Sequence, residues 1–393
     1  MGVGVMQTLV VKTSCERRLM QGHRWVFSNE VQSPLKMFAP GEWVQVVSTS
    51  GRRWGTGYVN PHSLIAGRLV GPRNTEPTVA FFAERLREAV AFREKLYPGE
   101  RTYRAVYGES DGLPGLVLDR YGSAWVMQVT TAGMAGVTSQ VCEALVQLFD
   151  PSVVVVRNDV ASRALEGLPL EKQILYGTVQ DFVLVAVHGL TVHVDLMEGQ
   201  KTGLFLDQRD NREALRRYVV GAEVLDLFCY QGLWSLLAAQ AGAVRVLGVD
   251  ASREAVRRAE ADAQANGLED RCAFQTEDVL DFLKRTPRES YDVIIMDPPA
   301  FAKTKSGLPK ALKGYTDLNR RAMLALRRGG LLVTCSCSSH LREDAFREML
   351  VRAGQAAGRL VRLLEARGQA LDHPALLAMP ETRYLKCAFL EVR

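Results

Sequence analysis

Strand-like apolar segments alternate with helical segments through the C-terminal half of the chain, and this alternation constrains the fold more than any other feature. The apolar segments are AEVLDLF, VRVLGVD, CAFQTED, YDVIIMD and GGLLVTCSCS. Between them lie stretches of helical periodicity such as SREAVRRAEADAQANG, in which Asn266-Gly267 supplies a stop signal. Strands that alternate with helices are typical of a mostly parallel sheet covered on both faces. We therefore predict a doubly wound α/β domain over residues 186–393.

Two smaller domains are predicted ahead of it. Residues 1–75 contain short segments of alternating apolar and polar residues (QTLVVK, EWVQVVST, GTGYVN and SLIAGRLV), with Gly and Pro between them. This pattern predicts a small β-barrel. Residues 76–185 combine an amphipathic helix over 79–97, a second helix around 134–149 and further strands. A small α+β middle domain is expected there.

Composition and cysteine usage exclude several classes of protein. Apolar residues make up 47% and charged residues 24% of the 393 residues, an ordinary globular composition. No apolar run reaches the roughly 18 residues of a membrane span, and the first residues lack a secretory signal pattern. We expect a cytoplasmic protein. The seven cysteines are odd in number, scattered and without a CxxC pair, so neither a disulfide framework nor a metal site is expected.

Positive charge is concentrated at the N-terminal end. Residues 1–75 contain nine Lys or Arg and three Asp or Glu, whereas the whole chain carries +5, which leaves the remainder at −1. A basic domain attached to a near-neutral one favours contact with a polyanion such as a nucleic acid. Trp25 fits an RNA-binding surface and the core of the barrel equally well. The candidates for RNA contact are Arg17, Arg18, His23, Arg24 and Trp25.

A ligand site is predicted at the carboxyl ends of the parallel strands. VLDLFCYQGLWSLLAA is a strand, a turn with Gly232 and a helix, a unit that binds ligands beyond the strand end. The three following strands end near Asp250, Asp278 and Asp297. Asp250 can accept ribose hydroxyl groups and Asp278 an exocyclic amine, although any one of the three carboxylates could instead cap a helix. The GxGxxG fingerprint of nicotinamide cofactors is absent.

The segment DPPAF, at residues 297–301, follows the fourth of these strands. Its two prolines fix the backbone and remove two N–H donors, which predicts a rigid loop. The carbonyl groups of that loop and Asp297 can face a planar amine or amide. In this segment the sequence resembles the S-adenosylmethionine (SAM)-dependent methyltransferases that act on nucleic-acid bases.

Two cysteines in TCSCSSH suggest a covalent chemistry. C5 of cytosine is a poor nucleophile until a thiolate adds to C6; a carboxyl group near N3 stabilises the adduct, and a base later removes the C5 proton. Cys337 and Asp297 lie near the ends of neighbouring predicted strands. If the strand ends near Ser336, Cys337 lies nearer the substrate. Cys335 remains the alternative nucleophile, and at least one of the two is expected to be a small buried side chain.

The whole chain resembles the large-subunit ribosomal RNA cytosine-C5 methyltransferase family. GHRWVFSNEV (22–31) is similar to its N-terminal PUA domain, an RNA-binding β-barrel. YGESDGLPGLVLDRYG (107–122) is similar to its middle domain, and MEGQKTGLFLDQRDNR (197–212) to the segment that closes over SAM. DPPAF and SCS complete the pattern. The resemblance implies a Rossmann-like class I methyltransferase domain preceded by the PUA barrel and the α+β middle domain.

The resemblance also implies an activity, which is SAM-dependent methylation of C5 of a cytosine in 23S rRNA with Cys337 as nucleophile. The implied partner is ribosomal RNA, free or within a subunit, with no membrane and no metal ion; a homodimer is one option that the sequence leaves open. Two alternatives also stay open: methylation of guanine N2 or N7, which needs no thiol, and a non-catalytic RNA-binding assembly factor. The implied SAM contacts are Lys201, Phe205, Gln208, Arg209, Phe228, Tyr230, Gly232, Asp250, Asp278 and Asp297.

Overall fold

The computed structural model describes residues 6–301, 304 and 306–393. The chain divides into two compact units. The first unit runs to Val185 and also contains Val194–Leu206 and Leu371–Thr382. The second unit consists of Ala186–His193, Asp207–Ala370 and Arg383–Arg393. The residue bounds of the three predicted domains stay a prediction.

The N-terminal part of the first unit is a β-sheet with the strand order β1–β3–β4–β5–β2. β1 and β3 are parallel and the other neighbours are antiparallel. A short helix, α1 (Glu16–Met20), follows β1. The apolar residues of the alternating segments face a common core, as the sequence pattern predicts. The strands are β1 (Thr8–Val11), β2 (Trp25–Val26), β3 (Glu42–Ser48), β4 (Arg53–Val59) and β5 (Gly67–Gly71).

A second sheet of the first unit has the order β10–β9–β8–β7–β6 and packs with helices, which confirms the α+β pattern. The helices are α2 (Val79–Leu96), α3 (Ala132–Ala135) and α4 (Thr138–Phe149). The hydroxyl group of Thr78 accepts a hydrogen bond from the Phe81 amide at 3.2 Å, and so caps the start of α2. The strands are β6 (Thr102–Tyr107), β7 (Leu116–Tyr121), β8 (Ala124–Val129), β9 (Val153–Arg157) and β10 (Lys172–Gly177).

A two-stranded hairpin, β11 (Val183–Val187) and β12 (Leu190–Val194), precedes the mostly parallel sheet of the second unit. The helices of this unit are α5 (Arg209–Leu215), α6 (Leu233–Gln240), α7 (Arg253–Ala265), α8 (Val279–Arg285), α9 (Leu308–Ala325) and α10 (Glu343–Ala357). Its strands are β13 (Glu223–Leu227), β14 (Arg245–Asp250), β15 (Cys272–Thr276), β16 (Tyr291–Met296), β17 (Leu326–Ser336), β18 (Val361–Arg367) and β19 (Lys386–Val392).

The strand order β15–β14–β13–β16–β17–β19–β18 confirms the predicted Rossmann-like domain. The strands from β15 through β17 are parallel, whereas β19 runs antiparallel to both of its neighbours. The register pairs Leu227 with Met296, and Met296 with Thr334. The carboxyl ends of β13, β16 and β17 therefore meet at one edge of the sheet.

Short segments connect these helices and strands. α7 ends where the sequence predicts, because Gly267 adopts a left-handed φ of +63° directly after Asn266. Among the described residues, no helix is long and apolar enough to cross a membrane. Short 3-10 helices cover Thr13–Cys15, Ser28–Glu30, Leu35–Met37, Gly108–Asp111, Ala161–Glu166, Leu206–Gln208, Arg216–Tyr218 and Pro380–Thr382.

Candidate functional site

The turn between β13 and α6 is held in an unusual backbone conformation. Phe228 and Tyr230 have left-handed φ angles of +62° and +50°, and Gly232 follows at +71°. Left-handed non-glycine residues cost about 1–3 kcal/mol each and cluster at ligand sites. A Cβ atom on Gly232 would lie 2.7 Å from Cε1 of Phe274, so packing as well as φ requires glycine here.

Polar atoms in this turn are buried without partners. Gln231 is 1% exposed, and within the described part of the chain neither its Oε1 nor its Nε2 forms a hydrogen bond. Oδ1 of the buried Asp226 is in the same situation. Unsatisfied buried polar atoms are costly unless a ligand or water supplies the missing partner. Together with the left-handed backbone, these atoms make the turn suited to a polar ligand such as SAM.

Asp250 lies at the end of β14 and holds the turn in place. Its Oδ2 accepts a hydrogen bond from the Tyr230 amide at 2.9 Å, and its Oδ1 accepts one from the Ser252 amide at 2.8 Å. The residue is half-buried. The structure thus brings Asp250 together with the strained turn, as the order of the strands predicts.

Asp278 has a structural part at the start of α8. Its Oδ1 accepts hydrogen bonds from the amides of Leu280 and Asp281 at 2.9 and 3.1 Å, and the residue is exposed. This is the helix-capping alternative that the sequence leaves open. Contact between Asp278 and the adenine amine stays a prediction.

Asp297 lies in a dense group of charged side chains at the end of β16. The indole Nε1 of Trp234 donates to Oδ2 of Asp297 at 3.4 Å. Burial lowers the pKa of Arg212 to about 10, although the nearby negative charges of Asp207, Asp297 and Asp226 act to raise it. A guanidinium group that is buried among three carboxylates provides a fixed positive charge beside Asp297.

Asp226 belongs to the same group of side chains, and its carboxyl group has a raised pKa. Burial raises the pKa of Asp226 to about 7, although its Oδ2 accepts hydrogen bonds from the Ser235 amide and hydroxyl at 3.1 and 2.7 Å. The negative charges of Asp297 and Asp250 add to the increase. The Asp226 carboxyl group therefore holds its proton more readily than an ordinary aspartate.

The two cysteines of TCSCSSH have different surroundings. β17 ends at Ser336, so Cys335 lies within the strand and Cys337 lies just beyond it. Cys335 is fully buried opposite Cys387 of β19, and burial together with Cys387 raises its thiol pKa well above the usual value. Cys337 is partly exposed. The position of the strand end therefore favours Cys337 as the reactive residue.

Lys386 lies beside the end of this strand. Its ammonium group is buried and donates a hydrogen bond to the carbonyl oxygen of Ser338 at 2.6 Å. Burial lowers the pKa of Lys386 to about 8, while the negative charge of a Cys337 thiolate acts in the opposite direction. The lysine thus places a positive charge near Cys337.

Tyr315 of α9 connects the DPPAF loop to the cysteine strand. Its phenolic oxygen accepts hydrogen bonds from the Phe301 amide at 3.4 Å and from the Ser336 hydroxyl at 3.2 Å. Burial raises the pKa of Tyr315, and the charges of Cys337 and Asp297 contribute to the increase. These interactions hold the loop after Asp297 close to the residue that precedes Cys337.

The remaining predicted cofactor residues are divided between the two units. In the first unit, Lys201 has a left-handed φ of +53°, and its Nζ lies 4.5 Å from the centre of the Phe205 ring. In the second unit, Gln208 and Arg209 are buried at the start of α5, where Oε1 of Gln208 accepts from Nδ2 of Asn211 at 2.7 Å. Direct contact of these four predicted residues with SAM stays a prediction.

Three of the five predicted RNA-binding residues form contacts within the first unit. Arg18 forms a two-pronged ion pair with Glu30 at 2.8 and 2.6 Å. His23 is 4% exposed and accepts a hydrogen bond from the Trp25 amide, and the Trp25 indole donates to Glu109 at 2.8 Å. These contacts give the three residues a structural role within the first unit. Their contact with RNA stays a prediction.

Arg17 is the most accessible member of the predicted RNA-binding set. Arg17 is exposed on α1, and Arg24 is half-buried in the wall of two cavities. Sequence reasoning did not single out Arg212, Tyr315, Gln231 or Lys386. Arg212 is the last residue of the QKTGLFLDQRDNR segment, so its place in that motif is the sequence feature that could have identified it.

Comparison with known proteins identifies two domain families in this chain. Residues 9–71 match a family model described as a PUA-like domain, and residues 124–374 match the S-adenosylmethionine-dependent methyltransferase family. SAM is therefore the cofactor of this chain. A crystal structure of the methyltransferase SMU.776 complexed with SAH has a TM-score of 0.85 at 23% identity, and the match covers 98% of this chain and 100% of that one.

Curated relatives match over nearly the whole length. Ribosomal RNA large subunit methyltransferase I of Klebsiella pneumoniae is 38% identical over 385 residues, which are 96% of each chain. The protein of the same name from Escherichia coli O139:H28 is 37% identical over 385 residues, covering 96% of this chain and 97% of its own. The chain therefore belongs to the SAM-dependent methyltransferase family that includes the proteins named Ribosomal RNA large subunit methyltransferase I.

Proposed function

We propose that this protein methylates C5 of a cytosine in 23S rRNA, with SAM as methyl donor and Cys337 as nucleophile. The observation that carries the proposal is the position of Cys337. It lies just beyond the end of β17, and the buried Lys386 ammonium group lies beside it. The neighbouring strand β16 ends immediately before Asp297. The names of the relatives support ribosomal RNA of the large subunit as the substrate.

The chemistry assigns a different task to each group. The Sγ thiolate of Cys337 forms a bond to C6 of the ring, which makes C5 nucleophilic. Lys386 favours the thiolate before this attack, and the carboxyl group of Asp297 stabilises the altered ring at N3. SAM, when bound, supplies an electrophilic methyl group for C5. Removal of the C5 proton by a base then restores the C5–C6 double bond and expels the Cys337 thiolate.

The residues at the strand ends fit SAM. In the proposed binding mode, Asp250 accepts hydrogen bonds from the ribose hydroxyl groups and Asp278 from the adenine amine. The turn at Gly232 provides the close backbone approach, and the buried amide of Gln231 has unused hydrogen-bonding capacity. Lys201, Phe205, Gln208, Arg209, Phe228 and Tyr230 are the further proposed contacts.

RNA that contains 5-fluorocytidine tests the covalent step, because fluorine at C5 cannot be removed as a proton is. Incubation of the protein with SAM and this RNA should give a covalent complex that survives denaturing electrophoresis. The Cys337→Ala variant should give none, whereas Cys335→Ala should retain the complex. A complex that depends on Cys335 alone would contradict the assignment of the nucleophile.

The same variants distinguish the other possible functions. Methylation of guanine N2 or N7 needs no thiol, so full rRNA methylation by both Cys337→Ala and Cys335→Ala would replace the cytosine proposal. A protein that binds RNA but not SAM in calorimetry would instead be an assembly factor. Bisulfite sequencing of 23S rRNA from a deletion strain should identify the cytosine that loses its methyl group.

A further inference from the structure

Among the described residues, a cavity of about 360 Å³ in the first unit is lined by two arginines and by no acidic side chain. Arg24, from the segment before β2, and Arg85, from α2, both line it. We call it the two-arginine cavity. Its other lining side chains are mostly apolar or aromatic: Leu19, His23, Trp54, Leu69, Val70 and Pro72.

Two residues that line this cavity carry hydrogen-bond donors that lack acceptors. Within the part of the chain that the structure describes, Nε of Arg24 and Nε1 of Trp54 are both buried without a partner. An unsatisfied buried donor costs about 1–3 kcal/mol, and more for a charged group. Both donors belong to residues that line the cavity, although neither atom is itself exposed to it.

The two guanidinium groups also repel each other. Burial lowers the pKa of Arg24, and the neighbouring charge of Arg85 lowers it further. Arg85 is paired with Glu88 at 3.0 Å, an exposed pair one helical turn apart that is worth little. Glu109 is the carboxylate that acts on Arg24, and the Trp25 indole already donates a hydrogen bond to it. Two like charges at one cavity favour an anion between them.

We propose that the two-arginine cavity binds a phosphate of single-stranded RNA, with Arg24 and Arg85 as the phosphate ligands. Phosphate oxygens are acceptors only, and guanidinium groups match their geometry. The apolar wall formed by Leu19, Leu69 and Pro72 then receives the adjoining nucleoside. The inference rests on RNA being the substrate in the proposed function. It adds helix α2 to the RNA-binding surface, although α2 lies outside the residues that match the PUA-like domain.

A smaller cavity of about 250 Å³ shares both arginines but is lined as well by Glu88 and Asp111. Asp111 is held by a two-pronged ion pair with Arg93 at 2.5 and 2.8 Å. Two carboxylates make this cavity unfavourable for an anion. The phosphate is therefore assigned to the larger, two-arginine cavity.

The test measures binding of a short labelled single-stranded RNA to the full-length protein by fluorescence anisotropy, at KCl concentrations from about 50 to 200 mM. Arg85→Gln should lower the affinity and make the plot of log K against log[KCl] shallower by about 0.7, the value for one lost phosphate contact. Arg87→Gln is the matched control, because Arg87 is exposed on the same helix and lines neither cavity. Arg87→Gln should bind as the wild type does.

Equal losses of RNA affinity in Arg85→Gln and Arg87→Gln would mean that the protein attracts RNA only through its general positive charge, and would overturn the inference. An unchanged slope of log K against log[KCl] in Arg85→Gln would also overturn it. If Arg85→Gln weakened the binding of free uridine monophosphate but not that of RNA, the assignment of the cavity to single-stranded RNA would be overturned. Arg24→Gln should reproduce the slope change, with circular dichroism as the check that it folds. Arg85 is partly exposed, so its variant provides the test even if Arg24→Gln is unstable.

A separate assay distinguishes this inference from the proposed function. Wild-type protein is incubated with labelled SAM and a 23S rRNA transcript, and the label is located. If cytosine C5 is unlabelled, the proposed function fails, while the salt slopes still decide on the cavity. If C5 is labelled, Arg85→Gln should raise KM for the rRNA and leave kcat unchanged; an unchanged KM would count against the cavity alone.

Discussion

At the scale of single residues, Gly232 combines a left-handed backbone with close packing against Phe274. We expect Gly232→Ala to destabilise the protein by about 1–3 kcal/mol more than Gly267→Ala does, because only the first adds a steric clash to the φ penalty. Gly267 has a similar φ of +63°, and a Cβ atom added there would meet none of the described residues within 4 Å. Urea denaturation of both variants measures the difference, and equal losses of stability would contradict the packing argument.

Lys386 is the residue whose charge we expect to control the reactivity of Cys337. Lys386→Met removes the ammonium group, so the Cys337 thiolate should be less populated and alkylation by iodoacetamide at neutral pH slower. Peptide mass spectrometry can follow Cys337 separately from the other cysteines. Lys386→Arg retains the charge and should retain more of the reactivity; a Met variant that alkylates at the wild-type rate would show that the lysine is only structural.

Sequence reasoning reaches some site residues and not others for a physical reason. Asp250 and Asp297 were predictable because they end parallel strands, whose carboxyl ends share one edge. Lys386 lies 49 residues after Cys337 and approaches it only through the antiparallel pairing of β19 with β17. No local pattern indicates that pairing.

At the scale of elements, Asp278 begins α8 as its cap. Asp278→Ala should lower the free energy of unfolding by about 1 kcal/mol, since two amides lose their acceptor. Asp278→Asn retains a capping oxygen and should stay within a few tenths of a kcal/mol of the wild type. Thermal and urea unfolding test the cap. Weaker SAM binding by a fully stable Asp278→Asn variant would show a second part in cofactor binding.

The strands β13 to β17, which run parallel to one another, were easier to predict than β18 and β19. β13 and β16 are nearly continuous apolar runs, as expected for strands covered on both faces. β18 has no comparable signal, because all seven of its residues are exposed or half-buried. β19 is apolar, but its place between β17 and β18 follows from tertiary packing and not from its order in the chain.

At the scale of the whole molecule, a buried ion pair connects distant segments of the first unit. Glu166 accepts hydrogen bonds from Arg68 at 2.9 Å, from Nδ2 of Asn60 at 2.8 Å and from the Ala132 amide at 3.3 Å. Arg68→Met leaves the buried carboxylate without its counter-charge and should cost about 3–5 kcal/mol. The double variant Arg68→Met with Glu166→Leu should recover part of this loss, which calorimetry can measure.

The same carboxylate gives a pH dependence. Burial opposes ionisation of Glu166, but the Arg68 charge and the hydrogen bonds prevail and lower its pKa below the usual value. Its contribution to stability is therefore fully present above the pKa of an unfolded glutamate, about 4.3, and is lost as the pH falls through the lower folded value. The wild type should lose stability over this acid range more steeply than Glu166→Gln. Parallel slopes of unfolding free energy against pH would contradict this.

The two units draw on segments that alternate along the chain, and this has a consequence for synthesis on the ribosome. The first unit needs Leu371–Thr382, where the buried Asp372 carboxylate accepts from the Arg104 amide at 2.9 Å. The second unit needs β19 between β17 and β18. A nascent chain therefore cannot complete either unit until translation has passed these late segments. Until then their partner surfaces remain open to chaperones or to aggregation, and a premature stop codon shortly before Leu371 would leave both units incomplete.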